Sequence, residues 1–221
     1  MAHFIIETLT NKWANIKALI SDWDGVFNDG QKNPQLAGYF SEADSMGLNL
    51  LRYSLYLKNN QIPPFAIITG ADNPTAIEFA KREKLQAVYS KILDKKIAFE
   101  HFCKKNNLQP HEVAFFFDDV NDLGVAKLCG VRFLIQRKST PFFTNFIKQN
   151  NLADLITDFQ GGEHAIREVC ENIWNVNQEY EKIIHDRSEF VTVYQNYFHL
   201  RQKQNVPTFF KWIDGDIIQE A

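Results

Sequence analysis

The sequence is short of the features that mark secreted, membrane or nucleic-acid-binding chains. Cysteine is scarce and odd in number. Cys103, Cys129 and Cys170 lie far apart and form no CxxC pair, which argues against a disulfide framework and against a zinc site. Cys103 and Cys129 fall in apolar helical runs and read as core rather than as nucleophiles. Positive charge is not in excess. The net charge of −3 makes no case for nucleic acid or an anionic membrane surface. No apolar run approaches ~18 residues, so no segment is expected to span a membrane. The start, Met1-Ala2-His3-Phe4-Ile5-Ile6-Glu7, is too short and too soon interrupted to read as a signal peptide, and a reducing cytoplasm is the expected location. The histidines His3, His101, His111, His164, His185 and His199 show no ligand spacing and read as structural or exposed.

What is present is apolar and aromatic. Of 221 residues, 45% are hydrophobic and 19 are Phe, ample for a core in one domain or a domain with an appendage. One stretch organises the chain. Ile16-Lys17-Ala18-Leu19-Ile20 reads as a buried strand, and Ser21-Asp22-Trp23-Asp24-Gly25 follows at its end. Residues i and i+2 of an extended chain point the same way, so Asp22 and Asp24 repel each other unless a cation lies between them or one stays protonated. Such a pair suits a hard metal ion held through oxygen, with one carboxylate as nucleophile. The plainer alternative is a strand end followed by an Asp-Gly turn.

The pattern then alternates. A turn-rich segment from Gln31 to Phe40 reads as a loop or a small hairpin. A helix is expected over 44–60, a strand over 65–70, a helix opened by Asn73-Pro74 with Asn73 as its cap, and a short strand over 87–90. Next come a helix opened by Asp94-Lys95-Lys96, a strand over 113–117 ending in Asp118-Asp119-Val120-Asn121-Asp122, a strand over 131–135, a short helix near 142–148 and a last strand near 154–157. The expected fold is therefore α/β, a Rossmann-like parallel sheet with helices on both faces. Ligands of such sheets bind beyond the carboxyl ends of the strands, where Asp22/Asp24, Thr69-Gly70 and Asp118/Asp119 all fall. Beyond Gly161-Gly162 apolar residues recur every three or four positions, which predicts one long helix or two in series. A helix of ~40 residues would be ~60 Å long, so it either packs on the sheet or serves an oligomer contact. No role is assigned to the aromatic tail after Pro207.

Phosphoryl transfer needs an in-line nucleophile, positive charge for the phosphoryl oxygens and a proton for the leaving oxygen. Asp22 can be the nucleophile and Asp24 the acid and then the base. Asp118 can complete an oxygen set for magnesium. Thr69 and the Gly70 amide can hold phosphoryl oxygens, and Lys95 can offset the charge, with Lys96 the neighbour that could be confused with it. Each has a structural alternative: Thr69-Gly70 as a plain strand-to-turn pair, Asp94 as a cap before Lys95, and Asp118, Asp119 and Asp122 as acids favouring a helix N-terminus.

With these pieces in order, the chain resembles the haloacid dehalogenase superfamily of aspartate-nucleophile phosphatases. Asp22-Trp23-Asp24-Gly25 is similar to its DxDG element, Thr69-Gly70 to its second motif, Lys95 to its lysine element and Asp118 through Asp122 to its acidic element. The combination DxDGVxxDG, with Phe40 to Asp44, Gly47 and Ile67-Ile68-Thr69-Gly70, resembles the 3-deoxy-D-manno-octulosonate 8-phosphate phosphatase subfamily. So does Gly161-Gly162-Glu163-His164-Ala165-Ile166-Arg167-Glu168-Val169-Cys170, which is similar to GGxGAxREVC. Two departures stand out: Phe117 replaces a glycine, and Ala71-Asp72-Asn73 offers no arginine after Thr69-Gly70 to meet a substrate carboxylate.

The resemblance implies a phosphatase domain over 1–173, capless apart from a hairpin at 28–40, and a C-terminal helical extension and tail over 174–221. It implies catalysis by Asp22, Asp24 and Lys95, phosphate binding by Thr69, Gly70 and Lys95, Mg2+ at Asp22, Asp24 and Asp118, and Asp119 and Asp122 behind them. The expected substrate is a small phosphomonoester of a sugar acid, of the octulosonate 8-phosphate or nonulosonate 9-phosphate type. Another sugar phosphate, or a catalytically inactive scaffold, is the alternative. A homo-oligomer is expected, a tetramer before a dimer, in which subunits roof each other's sites; no nucleic-acid or membrane partner is.

Overall fold

Alternation along the strands decides the architecture. In β1 (Ala18–Ser21), Leu19 packs into one apolar core, while Ala18 and Ile20 pack into another. The computed structural model describes residues 2–31, 38–205, 207–213 and 215–220, with side chains from residue 8 onward. In it, α1 (Ala2–Trp13) leads into β1, and α2 (Glu42–Asn59), β2 (Phe65–Ile68), α3 (Pro74–Glu83), β3 (Ala87–Ser90), α4 (Lys95–Lys105), β4 (Val113–Phe117), α5 (Leu123–Ala126), β5 (Val131–Leu134), α6 (Pro141–Gln149) and β6 (Leu155–Ile156) follow. Phe65 and Ile67 of β2, and Ala114 and Phe116 of β4, share the core of Leu19. Ala66, Ile68, Val113, Phe115 and Phe117 face the other way. Both faces are thus apolar and both need helices: α1, α2 and α3 cover the first, and α4, α5 and α6 the second.

The sheet order is β6-β5-β4-β1-β2-β3-β7-β8, where β7 spans Thr208–Ile213 and β8 Asp216–Gln219. All pairings are parallel except β7 with β8. This is the expected Rossmann-like α/β fold, with β1 in the middle and its acidic carboxyl end between those of β2 and β4.

The segment beyond Gly161 departs from the expectation of one long helix or two. It forms α7 (Ala165–Val176), α8 (Tyr180–Ser188) and α9 (Thr192–Gln202). Gln178 and Phe190, at φ +60° and +48°, stand in the left-handed region between them, which ends each helix. Shorter pieces fold back where a long rod would overhang: Ile183, Tyr194 and Tyr197 are buried in the same core as α2. The aromatic tail is not a tail. It forms β7, which pairs with the otherwise open edge of β3 and stacks Phe210 on Tyr89 at 4.8 Å, covering an edge that would otherwise offer free backbone groups. Of the expected hairpin at 28–40, residues 32–37 lie outside the described residues.

Candidate active site

Asp22, Thr69 and Asp118 each stand directly beyond a strand. The Asp22 amide donates to the Phe116 carbonyl at 3.0 Å, carrying the β1–β4 register one residue past β1. Trp23, between the two aspartates, is buried and stacks on Phe27 at 4.5 Å, with Phe79 5.6 Å away. Aromatic pairs of this kind contribute ~0.5–1.5 kcal/mol beyond burial, and here they fasten the loop that carries the carboxylates. Gly25 then turns at φ +85°, a conformation that costs other residues.

Asp22, Asp118 and Asp122 converge, with one carboxylate oxygen of each within 4.8 Å of the others. Lys95, the first residue of α4, reaches Asp22 Oδ1 at 2.8 Å and Asp122 Oδ1 at 2.6 Å. Asp94 caps that helix through the Lys96 amide, which aims Lys95 inward and leaves Lys96 half-exposed. Asp22 Oδ1 also accepts from the Trp23 amide at 2.7 Å. Burial opposes the Lys95 charge, but Asp22 and Asp122 outweigh it and hold the ammonium above its ordinary pKa. Burial, reinforced by Asp22, pushes Asp118 up to about 8 and Asp122 to about 7.

The carboxylate of Asp24 is not one of the three that converge. It accepts from Asn73 Nδ2 at 2.8 Å, and the same amide donates to Thr69 Oγ1 at 2.8 Å. Asn73 holds the cap position of α3, but its side chain makes no cap bond; it is spent on the site instead. Asp122 Oδ2 accepts from the amides of Asp118 and Asp119 at 3.4 and 3.3 Å. Asp119, half-buried, accepts from the Val120 amide. Asp22, Asp24, Thr69, Gly70, Lys95, Asp118 and Asp119 line one pocket of ≈ 250 Å³.

Arg137, two residues beyond Ile135, whose amide bonds the Phe117 carbonyl, also lines it, and no motif in the sequence points to it. Its Nε donates to Asp118 Oδ2 at 2.6 Å, and Nη2 reaches the same oxygen. A Cβ on Gly25 would lie 2.0 Å from Nη2, so the loop needs glycine there for the guanidinium to pass. The only signals in the sequence were a basic residue just past a strand end, beside the acidic strand, and, for Asn73, its spacing of four from Thr69.

Asp118 Oδ1 is buried with no hydrogen-bond partner among the described residues. Carboxylates outnumber cations in the pocket, and every converging donor is oxygen. That set fits a hard divalent cation of the magnesium kind.

No protein-family model matches the chain. It is similar to a haloacid dehalogenase superfamily (subfamily III A) hydrolase from Legionella pneumophila, at 28% identity and a TM-score of 0.66 over 85% of this chain and 98% of that one. Fold, site and likeness together make the chain similar to the haloacid dehalogenase-like phosphatases. Within that class, its relatives are more particular. It is 25% identical over 169 residues to the 3-deoxy-D-manno-octulosonate 8-phosphate phosphatase of Haemophilus influenzae, covering 75% of this chain and 86% of that one. It is 26% identical to the Moraxella catarrhalis phosphatase of the same name, whose structure holds magnesium, phosphate and the sugar acid, with a TM-score of 0.63 over 80% and 96% of the two chains.

Proposed function

We propose that the chain is a magnesium-dependent phosphomonoester hydrolase of a phosphorylated sugar acid, of the octulosonate 8-phosphate or nonulosonate 9-phosphate type, working through an aspartyl-phosphate on Asp22. The observation that carries the reading is the state of the Asp22 carboxylate. Oδ1 is held by Lys95 and the Trp23 amide, which orients the group and leaves Oδ2 for attack on phosphorus. Thr69 Oγ1 accepts from Asn73 and from the Ala71 amide, so its own O–H remains for a phosphoryl oxygen, next to the Gly70 amide. Asp24, oriented by Asn73, gives its proton to the leaving alcohol and then takes one from the water that opens the acyl phosphate. Lys95 offsets the charge gathering on the phosphoryl group. Asp22 and Asp118, with Asp24 or Asp122, would hold the cation, which when bound screens the nucleophile from the incoming phosphate.

A neutral sugar phosphate is the second reading. It is favoured by the absence of a basic residue after Gly70 and by Asn73 being committed to Asp24 and Thr69. The inactive-scaffold reading sits poorly with a site this complete.

The site is expected to be roofed by a second subunit in a homo-oligomer, a tetramer before a dimer, within the cytoplasm. Leu93 and Val120, within two residues in sequence of the pocket-lining Lys95, Asp119 and Asn121, are 76% and 66% exposed, apolar surface suited to a covering partner, since excluding water strengthens each charge interaction. Among the described residues no helix is long and apolar enough to cross a membrane. Phosphate release from a panel of acidic and neutral sugar phosphates, with magnesium and with chelator, tests the reaction: release from the acids with magnesium is expected, and equal rates in chelator would refute it. A concentration-independent mass near 25.7 kDa in light scattering, with full activity, would refute the borrowed roof.

A further inference from the structure

A phosphorylated sugar acid is anionic at both ends, so a site for it needs a second anion-binding surface beyond the one that receives phosphate. Beside the catalytic pocket lies a cavity of ≈ 390 Å³, lined by Gly25, Asp29, Arg137, Lys138, Ser139 and Gly161 among others. Arg137 is common to both. A guanidinium has five N–H donors. Nε donates to Asp118 Oδ2 and Nη2 forms an ion pair with the same oxygen, so both donors on Nη1 have no bond among the described residues. Lys138 stands next to it, 71% exposed at the side chain and 3.6 Å from Glu163, a loose pairing that an incoming anion can replace.

Glycine shapes the walls. A Cβ on Gly161 would fall 2.2 Å from the Gly25 carbonyl oxygen, and one on Gly30 would come within 3.2 Å of Arg137 Nη2. The two loops therefore meet backbone to backbone and leave the guanidinium edge bare. Asp29 Oδ1 already accepts from the Gln31 amide, which ties that acid to its own turn.

We propose that this cavity is the acid subsite, in which Arg137 and Lys138 receive the substrate carboxylate and supply the positive charge missing after Thr69-Gly70. The assignment rests on the sugar-acid reading above, and its test works without turnover. Wild type, Lys138→Gln, Arg137→Gln and Arg137→Lys, each checked for fold by circular dichroism, are titrated calorimetrically with 3-deoxy-D-manno-octulosonate, which carries no phosphate, and with neutral mannose. The acid should bind wild type in preference to mannose. Both Gln variants should weaken it by about tenfold or more, as expected for losing a charge-assisted hydrogen bond, and Arg137→Lys should recover part of the loss.

In parallel, the ratio of kcat/KM for the phosphorylated acid to that for a neutral sugar phosphate should fall with each Gln variant. Equal binding of acid and mannose by wild type, unaltered acid binding in the variants, or a fall in kcat/KM shared equally by both esters would each overturn the subsite. A wild type that binds the acid through Arg137 and Lys138 yet hydrolyses no phosphorylated acid would instead refute the proposed reaction and leave the subsite standing.

Discussion

Two regions of this molecule treat buried charge in opposite ways. Between α2, α3 and α9, Arg201 Nη1 reaches Glu83 Oε2 at 2.9 Å and Asn49 Oδ1 at 3.0 Å. Arg52 donates to the carbonyls of Glu83 and Lys84 at 2.6 and 3.1 Å, the C-terminal end of α3, where a cation is favoured by the helix dipole. Nearby, Asp186 takes Tyr53 Oη at 2.8 Å and Lys182 at 2.5 Å. Burial would raise that carboxyl, but its donors hold it below the usual range. At the carboxyl end of β1 the reverse holds. Burial and neighbouring acids raise Asp118 and Asp122, and a buried oxygen of Asp118 has no donor. What is left over around Arg52 and Arg201 is a pair of Nε–H groups; what is left over at the site is negative charge. A buried acid with donors fastens two elements together, and a cluster of acids short of donors is prepared for something that arrives later.

The most forceful way to break the comparison is to neutralise the nucleophile. Asp22→Asn should cost roughly 10⁴-fold or more in phosphate release, the scale seen when a nucleophile is removed, with an unchanged circular dichroism spectrum. Near-normal turnover by the folded variant would remove Asp22 from the mechanism.

Neutralising one acid in each region should move stability in opposite directions. Glu83→Gln leaves Arg201 buried without its partner charge and should lower the urea unfolding free energy by about 3 kcal/mol. Asp118→Asn relieves repulsion and should raise the unfolding midpoint of the metal-free protein, while abolishing the stabilisation that magnesium confers. Loss of stability from both would erase the distinction.

The pH dependence sharpens it. Asp118 and Asp122 have folded pKa values above the ordinary carboxylate value, so their contribution to metal-free stability is fully present below about pH 4, the unfolded value, and is lost as pH rises through about 7 to 8. Asp186, held low, contributes above the unfolded pKa and loses its contribution only in acid. The melting temperature of metal-free protein should therefore drop between pH 6 and 8 more in wild type than in Asp118→Asn, and magnesium should raise it more at pH 8 than at pH 6. A magnesium shift independent of pH would contradict the raised values.

The smallest expected effect falls in the anchoring region. Lys84 ends α3 at φ +56°, where glycine has no steric cost. Lys84→Gly should keep the carbonyl that Arg52 uses and stabilise the protein by about 0.5–1 kcal/mol in urea denaturation.

Much of the sheet and of the acidic site could be read from the chain because the signals are local. β1, β2, β3 and β4 are short apolar runs, and Asp22, Thr69 and Asp118 follow them directly. Asn73 reads as a cap because a cap is a local property; that its amide bridges Asp24 and Thr69 depends on where β1 lies beside β2. From the sequence His164 reads only as structural or exposed. It adopts φ +68°, and its Nδ1 lies 3.0 Å from Ser41 Oγ, a contact across 123 positions.

By itself the sequence determined which residues could carry the chemistry. Strand period, the two-residue spacing of Asp22 and Asp24, and the Asp94 cap that turns Lys95 inward each act within a few bonds of the residues concerned. Only the tertiary structure decided that Arg137 crosses to Asp118, that the chain beyond α7 breaks into short helices fastened to α2 by Arg201 and Asp186, and that β7 closes the β3 edge. Those outcomes depend on which distant surfaces are left uncovered once the sheet has formed. Burial and hydrogen bonding select them among many near-equal local possibilities, and no short window of residues carries that information.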